Sequence, residues 1–235
     1  MKGWHWDGFF EYLTNAYLLE GALITLGLTI FSMIFGLMLG FVIAVMRMSK
    51  YKFLSGPAYF YTWIFRGTPL LVQLIIIYTG LPQMGIKLSV LESTLIGLTL
   101  NEAAYLSEIV RAGIAAVPRG QVNAARAIGM TEFQVMRYVV APQAFRIIIP
   151  PLGNSVNGVL KTTSIASIIS MEELLRRTQV LIQEKFLVLE LFVVAALYYL
   201  VMTTVWELVQ RRIERRFGRA FEAQASEPAS LGEQR

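Results

Sequence analysis

The 235-residue sequence contains no cysteine, and His5 is its single histidine. The lack of cysteine excludes disulfides, thiolate metal sites and a thiol nucleophile. One histidine also excludes a histidine metal cluster and a Ser-His-Asp triad. No GxxxxGK[ST] segment occurs, so the chain cannot hydrolyse ATP by the P-loop mechanism. These absences remove most of the usual routes to catalysis.

Charge is also scarce, at 16% of residues, whereas ordinary soluble domains carry roughly 25%. Hydrophobic residues make up 55%, and the mean hydropathy is +0.55. This composition excludes a disordered chain and argues against a soluble enzyme. The net charge of +5 is modest. In so apolar a chain, it indicates contact with a lipid surface and no binding of nucleic acid.

Residues 21–46 carry no charge, and this run exceeds the roughly 20 residues that a spanning helix needs. We predict an all-α integral membrane protein with five spans, at about 21–46, 57–80, 91–110, 147–170 and 186–209. Within the second span, Pro69 should kink the helix or start its main part. Gly36 and Gly40 in the first span form a GxxxG pattern, which allows close helix approach and in some cases dimerisation.

The distribution of Lys and Arg predicts the orientation. Fourteen lie in the connections after spans one and three and in the tail, and five lie on the opposite side. Because positive residues concentrate in the cytoplasm, the N-terminus should be outside and the C-terminus inside. Residues 1–220 would then form one transmembrane domain, and residues 221–235 a disordered cytoplasmic tail.

The cytoplasmic connection at about 113–146 carries the most specific pattern. Pro118 suits a helix start, residues 121–128 form a short alanine-rich helix, and Gly129 should end it with a positive φ. Thr131-Glu-Phe-Gln134 fits a capping box, and Pro142 should stop the helix that follows. Such a short helix suits docking into a groove of another protein, although an ordinary helical loop would have a similar composition.

Four motifs occur in order along the chain. They are Phe65-Arg-Gly-Thr-Pro-Leu-Leu-Val-Gln73 with Tyr78-Thr-Gly-Leu-Pro82; Leu100-Asn-Glu-Ala-Ala-Tyr105 with Glu108 to Gly113; Asn123-Ala-Ala with Gly129 and Val140-Ala-Pro142; and Pro150-Pro151 with Gly153-Asn154-Ser155 and Leu160-Lys-Thr-Thr-Ser164. The third resembles the "EAA" loop of ABC importer membrane subunits. Over nearly its whole length, the chain resembles the polar amino acid uptake permeases.

Two positions depart from the family pattern. Asn123 replaces the glutamate of the EAA loop, and Ala141 replaces the usual leucine before the last proline. Losing the glutamate weakens one expected contact of the short helix at residues 121–128, which in the family is the coupling helix that contacts the ATPase. The Glu102-Ala-Ala triplet lies in a span and lacks the downstream spacing, so it is not the loop.

The resemblance implies a bacterial cytoplasmic-membrane, multi-pass permease without catalytic activity, metal or cofactor of its own. The implied partners are two ATP-binding cassette subunits that bind ATP and Mg, a second permease subunit, identical or homologous, and an external solute-binding protein. The coupling helix between spans three and four would contact the ATPase. Its expected contact residues are Gln121, Asn123, Ala124, Ala125, Arg126 and Gly129.

Polar residues inside a membrane usually face the bundle interior or a water-filled cavity. The resemblance places Asn101 at the substrate site, and an interhelical hydrogen bond is the alternative role. Ser155 and Thr162 are two helical turns apart on one face, so both should line that site. Neither is acidic, which favours a neutral or acidic substrate over a cationic one. Gln73 would hydrogen-bond either the substrate or another helix, and the contact with another helix is the preferred reading.

Arg66, Pro69, Glu108 and Lys161 are expected to be gating or structural residues. Lys161 would pair with Glu102 or Glu108, or else lie exposed near the outer interface. A second reading from another class is an integral-membrane enzyme or an ion or proton channel that uses Glu102, Glu108 and Lys161. A channel, however, would not need the spacing from Asn123 to Pro142 in its cytoplasmic loop.

Overall fold

A computed structural model describes the backbone of residues 4–225 and the side chains of residues 4–217. This part of the chain is helical and contains no strand. The α-helices are α1 Trp6–Leu13, α2 Ala16–Met48, α3 Lys52–Gly67, α4 Leu70–Ile75, α5 Val90–Ala115, α6 Arg119–Ala127, α7 Glu132–Gln134, α8 Ala141–Thr162, α9 Leu174–Lys185 and α10 Val188–Ala225. The predicted tail therefore begins inside α10, and residues 226–235 lie outside the described residues.

Two described helices are long and apolar enough to cross a membrane, namely Ala16–Met48 and the Val188–Phe217 part of α10. The pair formed by α3 and Leu70–Met84 adds a third crossing if this bent pair is one span. Helices α5 and α8 overlap predicted spans three and four, but they are not among the described helices that are long and apolar enough to cross. The fold is an all-helical membrane architecture, and five crossings remain a prediction.

Helices α2 and α5 form the most extensive helix pair of the structure. Small residues of α2 allow this approach: a Cβ added to Gly40 would lie 2.9 Å from the Ala103 carbonyl oxygen and 3.0 Å from the Ser107 nitrogen. A Cβ at Gly36 would lie 3.2 Å from that of Glu102. The GxxxG pattern therefore serves packing within the chain, where small residues let two backbones meet.

The predicted second span is broken. Helix α3 ends at Gly67, and the following helical segment, Leu70–Met84, leaves at 105°. Thr68 is extended, with φ −120° and ψ 147°, because the ring of Pro69 disfavours a helical conformation in the preceding residue. Pro69 then caps α4, so the predicted kink is confirmed and is sharper than a bend within one helix.

The Pro142 prediction is wrong. A π-helical segment, Val135–Val140, follows α7 and leads directly into α8, with Pro142 in the first turn of α8. Proline lacks a backbone N–H but is tolerated in the first turn of an α-helix, and Pro142 stands at this junction between the π-helical and α-helical segments. The chain thus stays helical from the capping box through Thr162 and on through a 3-10 segment, Thr163–Ile169.

Helix α9, between predicted spans four and five, was not predicted. Glu173 is fully buried and caps α9 by accepting hydrogen bonds from the backbone N–H groups of Leu175 (3.0 Å) and Arg176 (2.8 Å). Arg177 is also buried, and it donates to the Tyr17 carbonyl (2.9 Å) and to Glu20 (2.7 Å). In the sequence these charges indicate an exposed connection, whereas in the fold they fasten α9 to α2.

Candidate functional site

A cavity of about 460 Å³ lies between the α3–α4 bend, α5 and α8. The α3–α4 bend and α5 contribute charged groups to its walls, and α8 contributes hydroxyl groups. The lining residues are Arg66, Thr68, Pro69, Leu70, Asn101, Glu102, Tyr105, Glu108, Ile109, Ser155, Gly158 and Thr162. Segments far apart in the sequence therefore converge on one space large enough for a small polar solute.

Three of the four predicted substrate residues line this cavity. Asn101 lies on α5, while Ser155 and Thr162 lie half-buried on one face of α8, two turns apart. The Thr162 hydroxyl donates to the carbonyl of Gly158 at 3.0 Å, which leaves its lone pairs available to the cavity.

Gln73, the fourth, does not line the cavity. Its side-chain amide is buried and donates to the carbonyls of Phe65 (3.0 Å) and Thr68 (3.1 Å) and to the Thr68 hydroxyl (2.8 Å). Asn101 donates to the Gln73 amide oxygen at 2.9 Å and to the Phe65 carbonyl at 3.3 Å. Of the two roles expected for Gln73, the structure shows the helix contact.

The side-chain amides of Gln73 and Asn101 explain how the helix break is stabilised in an apolar environment. A helix that ends leaves carbonyl groups without intrahelical partners, and hydrocarbon offers them no water. Gln73 and Asn101 supply the missing donors at the end of α3. The position of Asn101 at the cavity wall is therefore fixed by its hydrogen bonds to the bend.

Glu108, at the cavity wall, is surrounded by three arginines. Its two carboxylate oxygens accept hydrogen bonds from Arg47 of α2 and Arg111 of α5. Arg66, at the end of α3, approaches the same carboxylate at 3.6 Å. The Arg47 guanidinium also lies over the Tyr59 ring, 4.6 Å from its centroid. These contacts tie α2, α3 and α5 together at one end of the cavity.

Lys161 does not join this cluster. Its side chain is exposed, it does not line the cavity, and it forms no ion pair with any residue described by the structure. The expected pairing with Glu102 or Glu108 is therefore absent from residues 4–217, and exposure, the other expectation, is what the structure shows. An ion path built from Glu102, Glu108 and Lys161 would therefore have to run partly outside the cavity, because Lys161 does not line it.

Sequence reasoning missed the role of Glu102 and Tyr105. Both line the cavity, since Glu102, Tyr105 and Ile109 follow an i, i+3, i+7 spacing along one face of α5. That spacing is readable in the sequence, but which face of α5 points inward is not. Glu102 supplies a carboxylate that Ser155 and Thr162 lack, so the argument against a cationic substrate loses its basis.

The coupling segment has the predicted helix and turn. Gly129 has φ +86°, which confirms the expected positive φ. Its N–H donates to the Arg126 carbonyl (3.0 Å) and that of Met130 to the Ala125 carbonyl (3.1 Å), the pattern of a Schellman C-cap. The capping box formed by Thr131 and Gln134 is also present, so the next helix begins at Glu132, directly after this turn.

The two alanines of α6 face different surroundings. Ala125 is 6% exposed and packs with Val117, Val135 and Val140, whereas Ala124 is exposed. The expectation that both alanines face a partner must therefore be corrected, because Ala125 holds α6 against its own chain. The exposed surface instead includes Ile128, which is 78% exposed.

The polar residues of α6 are also exposed, and two of them have contacts in the chain. Gln121 accepts a hydrogen bond from Gln143 of α8 at 2.5 Å. Arg126 holds Glu132 through two hydrogen bonds of 2.7 and 2.9 Å, which lower the pKa of that carboxyl below its ordinary value. Asn123 and Gly129 are exposed on the same segment. Together these contacts orient α6 toward solvent as a preformed unit.

No group of three or more His, Cys, Asp or Glu side chains able to hold a metal occurs in the described part of the chain. What the site offers is a cavity with charged and polar walls within a helical bundle, and the same chain carries a short exposed helix.

Residues 36–219 match the family model of the "binding-protein-dependent transport system inner membrane component". The match covers most of the chain. The chain belongs to this family. The permease assignment implied by the sequence motifs is therefore confirmed, and the family's members are membrane components of transport systems, with no catalytic step of their own.

Known relatives resemble the permease over nearly its whole length. The arginine transport system permease protein ArgU of Corynebacterium glutamicum is 42% identical over 92% of this chain and 73% of its own length. The putative glutamine transport system permease protein GlnP of Rickettsia bellii is 38% identical over 88% and 98%. The L-cystine transport system permease protein TcyB of Bacillus subtilis is 42% identical over 85% and 86%.

A solved structure, described as the crystal structure of an amino acid ABC transporter with histidines, superposes with a TM-score of 0.87. It is 37% identical, and the match covers 92% of the permease and all of that chain. The inward-facing MetNI methionine ABC transporter, at 20% identity, shares the fold with a TM-score of 0.71 over 86% of the permease and 96% of that chain.

Proposed function

We propose that the chain is the membrane-spanning permease of an ATP-driven importer that moves a polar amino acid received from an external solute-binding protein. The observation that most directly supports this proposal is the cavity at the α3–α4 bend. Asn101, Ser155 and Thr162 line it together with the charged residues Arg66 and Glu102. The names of its relatives, which include arginine, glutamine and L-cystine permeases, support this substrate class.

The proposal includes five crossings, made by α2, the bent α3–α4 pair, α5, α8 and α10. The N-terminus lies outside, in keeping with the fourteen-to-five distribution of Lys and Arg. In this orientation α6 is cytoplasmic. Residues 1–220 act as one permease domain in the bacterial cytoplasmic membrane.

Helix α6 is the proposed coupling element. Its outward surface, which carries Gln121, Asn123, Ala124, Ile128 and Gly129, docks on one of two ATP-binding cassette subunits that bind ATP and Mg. A second permease, identical or homologous, completes the membrane part. The Schellman cap and the buried Ala125 support this role, because they make α6 a rigid lever attached to α8 and to the core.

Transport then follows from movement of α6. Closure of the ATPase subunits on ATP displaces α6, and the helices around the cavity change between inward-open and outward-open arrangements. Glu108 and its arginines join α2, α3 and α5 at one cavity end, so Arg66 and Glu108 serve as a gate. The hinge at Pro69 lies beside them.

Reconstitution tests the function. The permease, its ATPase, its partner permease and the binding protein are placed in proteoliposomes, and uptake of radiolabelled amino acids is measured with and without ATP. Thr162→Trp fills the cavity and should reduce uptake at least about tenfold. Ile168→Trp, at an exposed position shortly after α8, should leave uptake near the wild-type rate.

The absence of ATP-dependent uptake of every amino acid tested would contradict the proposal. Normal uptake by a correctly inserted Thr162→Trp variant would count against this cavity as the route. Ion flux without ATP or partners would instead favour the channel reading, for which Lys161, outside the cavity, gives no support.

A further inference from the structure

A second cavity, of about 280 Å³, lies between α2, α8 and α10. Helix α8 forms the floor of this α2–α10 cleft, and the other two helices, which have few contacts with each other, form its walls. Among the described residues, the cleft shares no lining residue with the cavity at the α3–α4 bend. Ile149 and Val156, two turns apart on α8, line the cleft, whereas Ser155 and Thr162 lie on a different face of that helix. The two spaces are therefore separate sites.

The polar groups of the cleft wall bond to one another. The Trp206 indole N–H donates to the carbonyl of Gly153 at 2.8 Å. The Gln210 amide donates to the side chains of Asn154 at 3.1 Å and Glu214 at 2.8 Å. A Cβ at Gly153 would collide with Gln210, so the glycine allows α8 and α10 to approach here. The space that remains is bounded mainly by hydrocarbon, which favours an apolar occupant over an amino acid or an ion.

The cleft is open at the surface of the two helices that form its walls. Ile34 on α2 and Ile213 on α10 line it and are exposed. The exposed apolar surface continues with Met38 and Phe41 on α2 and with Val209 on α10. Ligand sites usually measure about 300–1,000 Å³, so the cleft has room for part of one hydrocarbon chain and not for a whole lipid. A chain of the bilayer reaches it without crossing a polar surface.

Helices α8 and α10 run antiparallel along the cleft. The Phe145 ring of α8 packs edge-to-face on the Phe217 ring of α10, with centroids 5.7 Å apart. Farther along, Gly153 of α8 meets Trp206 of α10. The start of α8, and with it the cleft residue Ile149, therefore lies beside the C-terminal part of α10, where the apolar run of that helix gives way to arginines.

Exposed arginines stand at this end of the cleft. Arg146 precedes Ile149 by one turn of α8, and Arg216 follows Ile213 by one turn of α10, so each is a neighbour of a cleft residue. Neither forms an ion pair with a residue whose side chain the structure describes. Glu214, on the same turn of α10, already accepts a hydrogen bond from the cleft wall. Positive charge at the mouth of an apolar cleft between spans complements an anionic lipid.

We propose that the α2–α10 cleft binds an anionic phospholipid of the bilayer, with one acyl chain between α2 and α10 and the phosphate on Arg146 and Arg216. The apolar walls select the chain, and the arginines select the charge. In the orientation proposed above, this lipid belongs to the cytoplasmic leaflet. Because the chain fills the gap between two helices that otherwise have few contacts, the bound lipid stabilises the folded permease.

Lipid binding to the delipidated permease–ATPase complex in detergent tests the site. The complex is titrated with phosphatidylglycerol, with phosphatidylcholine of the same acyl chains, and with glycerol 3-phosphate, and binding is followed by native mass spectrometry. Phosphatidylglycerol should bind at least roughly tenfold more tightly than phosphatidylcholine and should raise the unfolding temperature. Glycerol 3-phosphate, which carries the charge without a chain, should not bind. Equal binding of the two lipids, or binding of glycerol 3-phosphate as tight as that of phosphatidylglycerol, would overturn the proposal.

Two double variants with the same change in net charge separate the site from general attraction to an anionic surface. Arg146→Gln combined with Arg216→Gln should weaken phosphatidylglycerol binding roughly 30-fold. Arg211→Gln combined with Arg215→Gln removes two exposed arginines from the face of α10 that points away from the cleft, and it should bind as the wild type does. An equal loss in both double variants would show attraction without a site and would contradict the proposal.

Tryptophan substitutions test the position of the acyl chain. Val156→Trp fills the cleft from its floor, and Ile34→Trp fills it from an exposed edge, so the second variant decides if the first fails to fold. Both should lose the phosphatidylglycerol-dependent rise in unfolding temperature. Leu208→Trp, exposed on the far face of α10, should keep it. Unchanged lipid binding by a folded Ile34→Trp variant would remove the chain from the cleft.

A second permease seated on the same surface is the alternative occupant. The native chain contains no cysteine, so Ile213→Cys can carry a photoactivatable maleimide at the mouth of the cleft. The labelled complete complex is irradiated in proteoliposomes that contain phosphatidylglycerol. Attachment of the label to lipid supports the proposed site. Crosslinking to the second permease instead would assign the cleft to a contact between permeases and overturn the lipid site, while uptake by the complete system, and with it the proposed function, would be unaffected.

Discussion

Gln73 illustrates how one side chain can decide a local structure. Polar residues in a span invite the interpretation that they bind substrate, and the sequence alone leaves that role open for Gln73. Its buried amide makes three donor contacts to the end of α3 and accepts one from Asn101. The glutamine thus replaces the water that would satisfy a helix end in a soluble protein.

Replacing this residue tests that role. Gln73→Leu leaves the Thr68 carbonyl without its side-chain donor and the Asn101 amide without its Gln73 acceptor, while the Phe65 carbonyl keeps only the longer contact with Asn101. Each unsatisfied buried group costs about 1–3 kcal/mol. The purified permease complex should therefore unfold at a lower temperature, by several degrees. Any effect on the KM for substrate should be indirect, through the Asn101 amide that Gln73 holds in place, because Gln73 itself does not line the cavity.

Gln83→Leu provides the matched control, because Gln83 is an exposed amide in the same segment with a single long contact of 3.4 Å to Thr79. Its unfolding temperature should equal that of the wild type. A Gln73→Leu variant with normal stability and a raised KM would show that Gln73 binds substrate after all.

At the scale of elements, α6 combines an inward and an outward alanine. The sequence predicts a short helix there from Pro118 and Gly129, and the structure has α6 at Arg119–Ala127. Helical periodicity places neighbouring residues 124 and 125 about 100° apart, so they cannot face the same surface. Only the packing of α6 on the segment around Val135 and Val140 decides which one is buried.

Tryptophan substitutions separate the two alanines. Ala125→Trp overpacks the permease's own core, at about 1–3 kcal/mol, and should lower its unfolding temperature. Ala124→Trp should leave the unfolding temperature unchanged but prevent the ATPase subunit from copurifying, and so abolish uptake. Ala124→Ser, which stays small, should retain both. Full ATPase retention by Ala124→Trp would remove α6 from the proposed coupling role.

At the scale of the whole molecule, the distribution of Lys and Arg predicts one orientation in the membrane. The exposed residues Lys87 and Lys185 lie on the predicted outer side, and Arg126 lies on the predicted cytoplasmic side. Arg177, which the charge count also places outside, is buried against Tyr17 and Glu20 and is unsuitable as a reporter.

Single cysteines report this orientation directly, since the native chain contains none. Lys87→Cys and Lys185→Cys should react with a membrane-impermeant maleimide in intact cells. Arg126→Cys should react only after the membrane is permeabilised, and its loss of an exposed ion pair should cost little stability. Labelling of Arg126→Cys alone in intact cells would reverse the orientation.

The amino-acid sequence by itself determined the membrane class, the apolar runs of α2 and α10, the break at Pro69 and the turn at Gly129. Each depends on local properties, namely hydropathy, a proline ring and a glycine backbone. The tertiary structure decided the rest: that Glu102 faces the cavity, that Glu108 meets three arginines, that Gly36 and Gly40 pack on α5, and that Lys161 stays outside. These outcomes depend on how each helix is rotated about its axis, and that rotation is set by packing between segments distant in the chain.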